Sequence, residues 1–583
     1  MFRPCVFTLR KFRVRAGEAC PSRAAGRPGA DTMVSVLCTA FSSSFFPQKL
    51  PQLRKDLPPP ALDVVVVGAG AAGVGTALML TTTFGLDTSR VLLVERGEEV
   101  GETFRRWPDE MRFISPSFNQ QGWTSSFDLN SVAYGTSPAY SLHAEHPSGD
   151  QYADYLNALV SDAKLCVRTQ TEVVSVQAEG VEGGPPRFSV GVSPASSPSE
   201  PGSRRTGPAD ATETLTTQYV VWAAGEFQYP AETESSGAVE GAELCLHNSR
   251  VRSWADLPGD DFAVIGGYVV SARPLSPTPV RSHLQRSNPK DPTPKTQPSN
   301  SLPKPTPFTH LVPSLTRYES GADAAFNLAK AGKRCTVLAS SASWDVCTPD
   351  PSAELAPYTA GRLREVTAAG FSPRPKLLSP LRVRRVEKAA TGGFNVIANW
   401  KAAERLPPPG RLQLRRPLEA KADAGGTADT STEDLTPAQR LAAAYMEGTI
   451  EGDEHVVHTP QPPILCTGFE GSVAAAASHL FDLAEESEEG KGCLCGAPRL
   501  TADDESTKVP GVFLVGPAVS QGGLSFCFIY KFRQRFAVVA NAICRGLGKD
   551  TTAAVALCRK TDMYLGDAGI ACCADNTCGD SSC

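Results

Sequence analysis

Gly68, Gly70 and Gly73 follow directly on a β-branched apolar run at residues 62–67 and directly precede an alanine- and leucine-rich helical stretch. A strand, a tight glycine turn and a helix start in that order hold a dinucleotide pyrophosphate, because the first N–H groups of the helix point at the phosphate and the helix field favours negative charge. Gly68 permits the turn, Gly70 lets phosphate approach the backbone, and Gly73 lets the helix pack closely on the strand. A second apolar run, Val91–Val94, ends in Glu95, about 20 residues past the triplet, where a carboxylate can accept ribose hydroxyls. The bland alternative is an ordinary βαβ turn with no ligand.

A second start of the same type opens at residues 262–268, Phe-Ala-Val-Ile-Gly-Gly-Tyr, and its natural continuation, Glu-Ser-Gly-Ala-Asp-Ala-Ala, begins only at Glu319. The intervening residues 269–318 hold eleven prolines, seven Lys or Arg and one acid, Asp291, with no hydrophobic period. Such a segment buries too little apolar surface to order itself, and a structureless loop of that length inside a phosphate-binding turn is suspect. With tyrosine at both edges, removal of the block leaves Val-Ile-Gly-Gly-Tyr-Glu-Ser-Gly. It reads as an intron translated in error, with a genuine insertion as the alternative.

The elements that position these turns alternate between strand and helix patterns, which predicts a parallel sheet with helices on both faces. Residues 149–162 read as an amphipathic helix with Tyr152, Tyr155, Leu156, Leu159 and Val160 on one side, and 171–177, 187–192 and 216–222 as strands leading to Ala223-Ala224-Gly225. Further strands are expected at 335–338, 463–469 and 511–517, and a closing helix at 526–547. The expected division is a leader at 1–60, a first dinucleotide domain at 61–254 and 451–560, a second inserted between them at 255–450, and a cysteine-rich tail at 561–583.

The chain has 583 residues, enough for two or three domains of about 100–200 residues each. A net charge of -5 gives no electrostatic case for nucleic acid or an anionic membrane surface, and no uncharged apolar run reaches the roughly 18–20 residues of a bilayer span. The 17 cysteines are scattered without a small-scaffold pattern, which favours a reducing compartment. In the leader, Arg3, Arg10, Lys11, Arg13, Arg15, Arg23 and Arg27 face only Glu18 and Asp31, the composition of an organellar transit peptide for mitochondrion or plastid. A disordered or misassigned leader on a cytoplasmic protein is the other reading, since Met33 is a second candidate start.

Two dinucleotide starts, a Trp-Ala-Ala-Gly return at 222–225 and a Cys-Thr-Gly-Phe strand end at 466–469 together resemble the two-dinucleotide-domain flavoproteins, most of all the flavin-containing monooxygenase-like FAD/NAD(P)-dependent oxidoreductases. The resemblance spans residues 61–545 apart from the insertion and loops. It implies an α/β fold of two Rossmann-like domains. It assigns Gly68, Gly70, Ala71, Gly73, Glu95 and Arg96 to the FAD turn, with Thr103, Arg106, Trp107, Gly225, Gly516 and Pro517 beside the same cofactor. Gly266, Gly267, Ser320 and Gly321 match the nicotinamide turn, and Thr467 and Gly468, with Phe469, the late Ala-Thr-Gly-Tyr/Phe segment. Trp107, Phe113, Phe118 and Trp123 are either flavin walls or core, and Arg105 and Arg106 either meet phosphate or form an exposed pair.

The chain departs from the family pattern at three places. Tyr268 or Tyr318 stands where the nicotinamide turn usually has its middle glycine, and the monooxygenase stretch before that turn survives only as His247, which reads as a catalyst or a satisfied structural residue. No cysteine pair follows Glu95, so a thiol route rests on the tail, Cys572, Cys573, Cys578 and Cys583. Serines rather than an acid follow the strand at 335–338, which favours NADPH, with NADH as the alternative. The expected function is NADPH-dependent oxidation of a small organic substrate through reduced flavin and oxygen. The alternatives are a flavin-dependent thiol/disulfide oxidoreductase and a flavin-binding protein with an inactive nicotinamide site. No catalytic side chain or metal site is assigned.

Overall fold

The computed structural model describes residues 62–117, 128–139, 143–179, 186–195, 211–232, 239–266, 316–344, 355–400, 454–484, 497–522 and 524–566. The leader, most of the 193–212 loop, the insertion 269–318, the excursion at 401–450, Cys493, Cys495 and the tail cysteines lie outside them.

The first sheet is built on β1 (Leu62–Val67), whose valines are all buried. On one side β1 pairs in parallel with β2 (Val91–Val94), and β2 with β3 (Cys166–Arg168). On its other side lies β6 (Glu213–Trp222), in register Val64↔Tyr219 to Val67↔Trp222. β6 is long enough to divide its far edge. Its first half pairs antiparallel with β5 (Phe188–Pro194), which pairs antiparallel with β4 (Thr171–Ala178), and its second half pairs in parallel with β17 (Val512–Leu514). The parallel sheet expected from alternation is present as β3, β2, β1, β6 and β17, and it carries an antiparallel edge: β4 and β5 follow one another through a short connection, which suits antiparallel strands.

The second sheet is wholly parallel, in the order β11 (Lys376–Leu378), β10 (Arg334–Leu338), β9 (Asp261–Gly266), β15 (Ile464–Cys466), β8 (Leu246–His247). A separate antiparallel sheet, β12 (Leu381–Lys388), β13 (Phe394–Trp400) and β14 (Glu454–Thr459), packs on it through Leu381, Val383, Val396 and Ala398. Because β8, β14 and β15 belong to this side, the domain boundaries at 254/255 and 450/451 are corrected. The chain changes sides at β7 (Tyr229–Pro230) and returns at β16 (Phe469–Glu470), and these two crossovers pair antiparallel with each other, Phe469↔Pro230 and Glu470↔Tyr229.

Helices complete the layers. On α1 (Ala71–Leu78) packs α6 (Ile529–Gly546), so closely that a Cβ on Gly75 would stand 2.2 Å from the Phe536 ring. The predicted amphipathic helix is α3 (Gly149–Ala163). It opens on a capping box of Ser148 and Gln151 and buries Tyr152, Tyr155 and Leu156, with Leu159 and Val160 partly covered. No helix among the described residues is long and apolar enough to cross a membrane.

Candidate functional site

The first glycine turn is held by close contacts that leave a single side open. Gly68 has φ +103° and donates its N–H to Val94 O at 2.8 Å; a Cβ there would stand 2.5 Å from the carbonyl oxygen of Ala223. A Cβ on Gly73 would lie 2.0 Å from the carbonyl oxygen of Gly68. Around Gly70, by contrast, no atom lies within 4 Å of the Cβ position. Gly70 is also the N-cap of α1, which starts at Ala71, and no side chain caps that helix end. A clear approach to backbone N–H groups at an uncapped helix N-terminus fits a diphosphate.

Other elements converge on the same end of the sheet. Gly516, with φ +107°, would place a Cβ 3.2 Å from Ala72 Cβ, and Pro517 follows it. α6 ends at Gly546 against Tyr219, near the start of the β1–β6 pairing, so its N-terminus lies at the glycine-turn end; that N-terminus has no side-chain cap and no acid in its first turn. Gly225, φ +78°, also has no atom within 4 Å of its Cβ position. Gly101, φ +78°, donates its N–H to Ala69 O at 3.0 Å and so brings α2 (Glu102–Arg105), with the half-buried Thr103, to the turn. This arrangement fits FAD.

Several residues expected to contact the cofactor also have partners within the protein. The Glu95 carboxylate accepts the N–H of Ala69 and of Gly97, both at 2.7 Å, and burial pushes its pKa up. It braces the glycine turn from within. Arg96 donates to Gln228 at 2.6 Å and lies 3.8 Å from Glu172. Arg106 pairs with Glu102 at 3.0 Å, and Arg105 is surrounded by Glu99, Asp150 and Asp154, so carboxylates engage both guanidinium groups, for which phosphate contact and an exposed pair were the two readings. Trp107 and Phe113 belong to an aromatic cluster with Phe104 and Tyr152, ring centroids 4.4–5.7 Å apart, which is the core alternative. Phe118 and Trp123 lie outside the described residues.

At the second turn the strand and helix meet despite the 269–318 block between them. A Cβ on Gly266 would stand 3.2 Å from Gly321 Cα, in α4 (Thr316–Lys330), and 3.5 Å from Cys466 Cβ. Ser320 sits half-buried one residue earlier on α4, while Gly267 and Tyr268 lie outside the described residues. Glu319 accepts the N–H of Ala356 at 2.6 Å at the start of α5 (Pro357–Thr367), and burial pushes its carboxyl up.

The crossovers bind the two turns together. Thr467 donates its hydroxyl to Ala231 O at 2.9 Å, and Ala231 N–H donates to the carbonyl of Gly468, φ +86°, at 3.0 Å. The same carbonyl accepts from His247 Nε2 at 3.0 Å, while His247 Nδ1 accepts the Ser249 N–H at 3.2 Å. Burial pulls this imidazole down to about 4, so it is a neutral structural residue, the second of the two readings open from the sequence. Between about pH 6.5 and pH 4 the unfolded chain binds a proton that the folded one refuses, so stability falls as pH drops through that window, by at most about 1.4 kcal/mol per pH unit. Chemical denaturation from pH 7 to pH 4 measures it: the wild-type slope exceeds that of His247→Gln.

Sequence reasoning missed Glu226, whose only signal was an acid directly after Gly225. Trp222 Nε1 donates to Ser472 Oγ at 3.1 Å, and Ser472 donates from its N–H and, at 3.4 Å, from Oγ to the Glu226 carboxylate. The other carboxylate oxygen would lie 2.4 Å from a Cβ on Gly471. Burial pushes Glu226 up to about 7.

Residues 65–183 and 209–272 match the family model described as pyridine nucleotide-disulphide oxidoreductase. Among solved structures the chain is similar to a bacillithiol disulfide reductase from Staphylococcus aureus, at 14% identity and a TM-score of 0.48, over 83% of this chain and 98% of that one. It is similar also to a flavin-containing monooxygenase from Stenotrophomonas maltophilia (13%, TM-score 0.41, 83% and 98%) and an ornithine hydroxylase from Pseudomonas aeruginosa (12%, TM-score 0.47, 84% and 100%). The family match covers the first glycine turn, Glu95, Gly225 and β9 through Gly266, and it bears out the resemblance to FAD/NAD(P)-dependent oxidoreductases drawn from those residues.

Proposed function

We propose that this oxidoreductase takes electrons from NADPH onto bound FAD and uses them, with oxygen, to oxidise a small organic substrate. One observation carries the reading: the strands beside both glycine turns, β6 at Gly68 and β15 at Gly266, run straight into the paired crossovers β7 and β16. Each turn lies at the carboxyl end of its sheet's strands, where open α/β sheets bind ligands, and the paired crossovers link those two ends. FAD, when bound, supplies a two-electron carrier, and the protein supplies position and exclusion of water. Gly70, Ala71, Gly516 and the N-terminus of α6 would hold it. For the nicotinamide nucleotide, Ser341 Oγ lies buried with no partner among the described residues, a hydroxyl suited to a 2′-phosphate after a strand that ends without an acid.

Burial pushes the thiols of Cys245 and Cys335 up to about 12 and those of Cys544 and Cys558 to about 11, and the described cysteines form no disulfide. These thiols are poor nucleophiles at neutral pH, so the thiol/disulfide alternative rests on the tail cysteines alone. Rapid mixing of the FAD-loaded protein with NADPH tests the reading. The expected result is loss of the visible flavin band, faster with NADPH than NADH, followed by oxygen uptake in the presence of an amine, sulfide or ketone. Reoxidation by disulfides alone, lost in a Cys572→Ser, Cys573→Ser variant, contradicts it. Bleaching seen only after deletion of residues 269–318 shows instead a nicotinamide site blocked in the full chain.

A further inference from the structure

Away from the crossovers, the flavin-side and nicotinamide-side units touch at a second place. Glu110, in the loop after α2, accepts three hydrogen bonds from the opposite unit: Ser253 Oγ at 2.9 Å, and the N–H groups of Trp254 and Ala255 at 3.1 Å each. Burial opposes its charge, yet the Trp254 and Ala255 amides hold the carboxyl below its ordinary range. The captured segment is firmly part of the nicotinamide side, for Trp254 is 2% exposed and packs in one core with Val251, Phe262 and Ala325. Two neighbours reinforce the contact: Asp109 N–H donates to Arg252 O at 2.8 Å, and Arg252 donates to the carbonyl of Arg105. A short way along, His146, anchored by its Nδ1 to Phe113 O at 2.7 Å, stacks on Tyr358 of α5 with centroids 3.7 Å apart and planes within 13°. Tyr358 lies beside Arg362, itself paired with Asp323 of α4.

The crossovers form a ladder of two residue pairs, with the Thr467, Ala231 and His247 hydrogen bonds beside it. The contact at residues 105–110 is a separate attachment, and two separated attachments resist a rotation that a single hinge permits. We propose that Glu110 is a positioning residue that locks the nicotinamide-side unit in one orientation on the flavin-side unit, so that electron transfer between the two cofactors needs no rotation of one unit against the other. This rests on the NADPH-to-FAD reading. In that step a hydride, one proton with two electrons, would pass from the dihydronicotinamide, oxidised to the nicotinamide cation, to the flavin, which would gain both electrons and the proton. Glu110 takes no part in bond making and acts only through the segment it holds.

The test uses the full FAD-loaded chain with Glu110→Ala and Glu110→Gln, read by amide hydrogen exchange across residues 252–256, by small-angle scattering, and by single-turnover reduction over a range of NADPH concentrations. In Glu110→Ala, exchange at Trp254 and Ala255 rises about tenfold or more, as expected when bonds to a charged acceptor are lost. The limiting reduction rate falls by a similar factor, while the NADPH concentration at half-maximal rate and the FAD content stay unchanged. Glu110→Gln, which keeps an acceptor oxygen, recovers most of both. Unchanged exchange and scattering overturn the proposal, and so does faster exchange with an unchanged limiting rate. Should Glu110→Ala fail to fold, Ser253→Ala removes one of the three donors and is expected to shift exchange and rate in the same direction by less. A wild-type protein that NADPH does not reduce contradicts the NADPH-to-FAD reading, while scattering and exchange still decide whether Glu110 locks the units.

Discussion

Gly70→Ala yields a folded, soluble chain that has lost FAD. Gly70 lies at φ -81°, ψ -168°, an extended conformation that alanine adopts freely, and no atom lies within 4 Å of the added methyl. Loss of unfolded-state freedom alone makes such a change neutral to stabilising by about 0.4–1 kcal/mol. The methyl would, however, occupy the single open side of the turn, where a phosphate must come close to the backbone. The expected outcome is a thermal midpoint at or slightly above that of the wild type, with FAD affinity reduced about 100-fold, equivalent to about 2.7 kcal/mol. Gly73→Ala behaves in the opposite sense, because its methyl would meet the Gly68 carbonyl oxygen at 2.0 Å and force strand and helix apart. That variant is expected to be poorly folded whether or not FAD is supplied. A thermal melt and the ratio of flavin to protein absorbance separate the two, and a yellow Gly70→Ala contradicts the assignment of the turn.

The second large effect is expected at Arg535. Its guanidinium meets the Asp504 carboxylate through Nε at 2.7 Å and Nη2 at 2.9 Å, and both side chains are 0% exposed. Nη2 also donates to Ala502 O at 2.7 Å, and Nη1 to the carbonyl of Leu565. Burial above all raises the Asp504 carboxyl, and Arg535 opposes that rise. Arg535→Met therefore strands an acid in the interior. Breaking a buried pair from one side costs about 3–5 kcal/mol, whereas replacing both partners by apolar groups is often close to neutral. Denaturant midpoints are expected to show a large loss in Arg535→Met, smaller at acid pH where Asp504 takes up a proton, and a partial recovery in the double variant with Asp504→Leu. Additive losses contradict the coupling. Since the pair anchors residues 502–504 and Leu514 N–H donates to Asp504 O at 2.9 Å, the single variant also weakens the approach to Gly516 and Pro517.

Local chemistry carried the legible part of this molecule. The turn at Gly68 to Gly73 and the helix at 149–163 are specified by neighbouring residues, and so are the strands that lead to Trp222, Cys466 and Leu514. Even the interrupted second turn could be reassembled, since Gly266 and Gly321 do meet. Partners distant in the chain were not legible. β8, β14 and β15 join the nicotinamide side only because their pairing partners lie there, and a boundary drawn from composition placed them wrongly. Arg105 and Arg106 have the residue type and adjacency of a phosphate clamp, yet Glu99, Glu102, Asp150 and Asp154 neutralise them first. Glu226 and Ser472 lie 246 residues apart, and Glu110 and Ala255 145, so no window of sequence contains either contact.

FAD held at the first glycine turn is the premise of every activity proposed for this chain. Full-length protein, purified, mixed with excess FAD, freed of unbound nucleotide and then denatured to release and identify the flavin, is predicted to yield FAD in near-stoichiometric amount, while Gly70→Ala treated alike yields almost none. A wild-type chain that stays colourless and releases no flavin after that treatment would contradict the central claim.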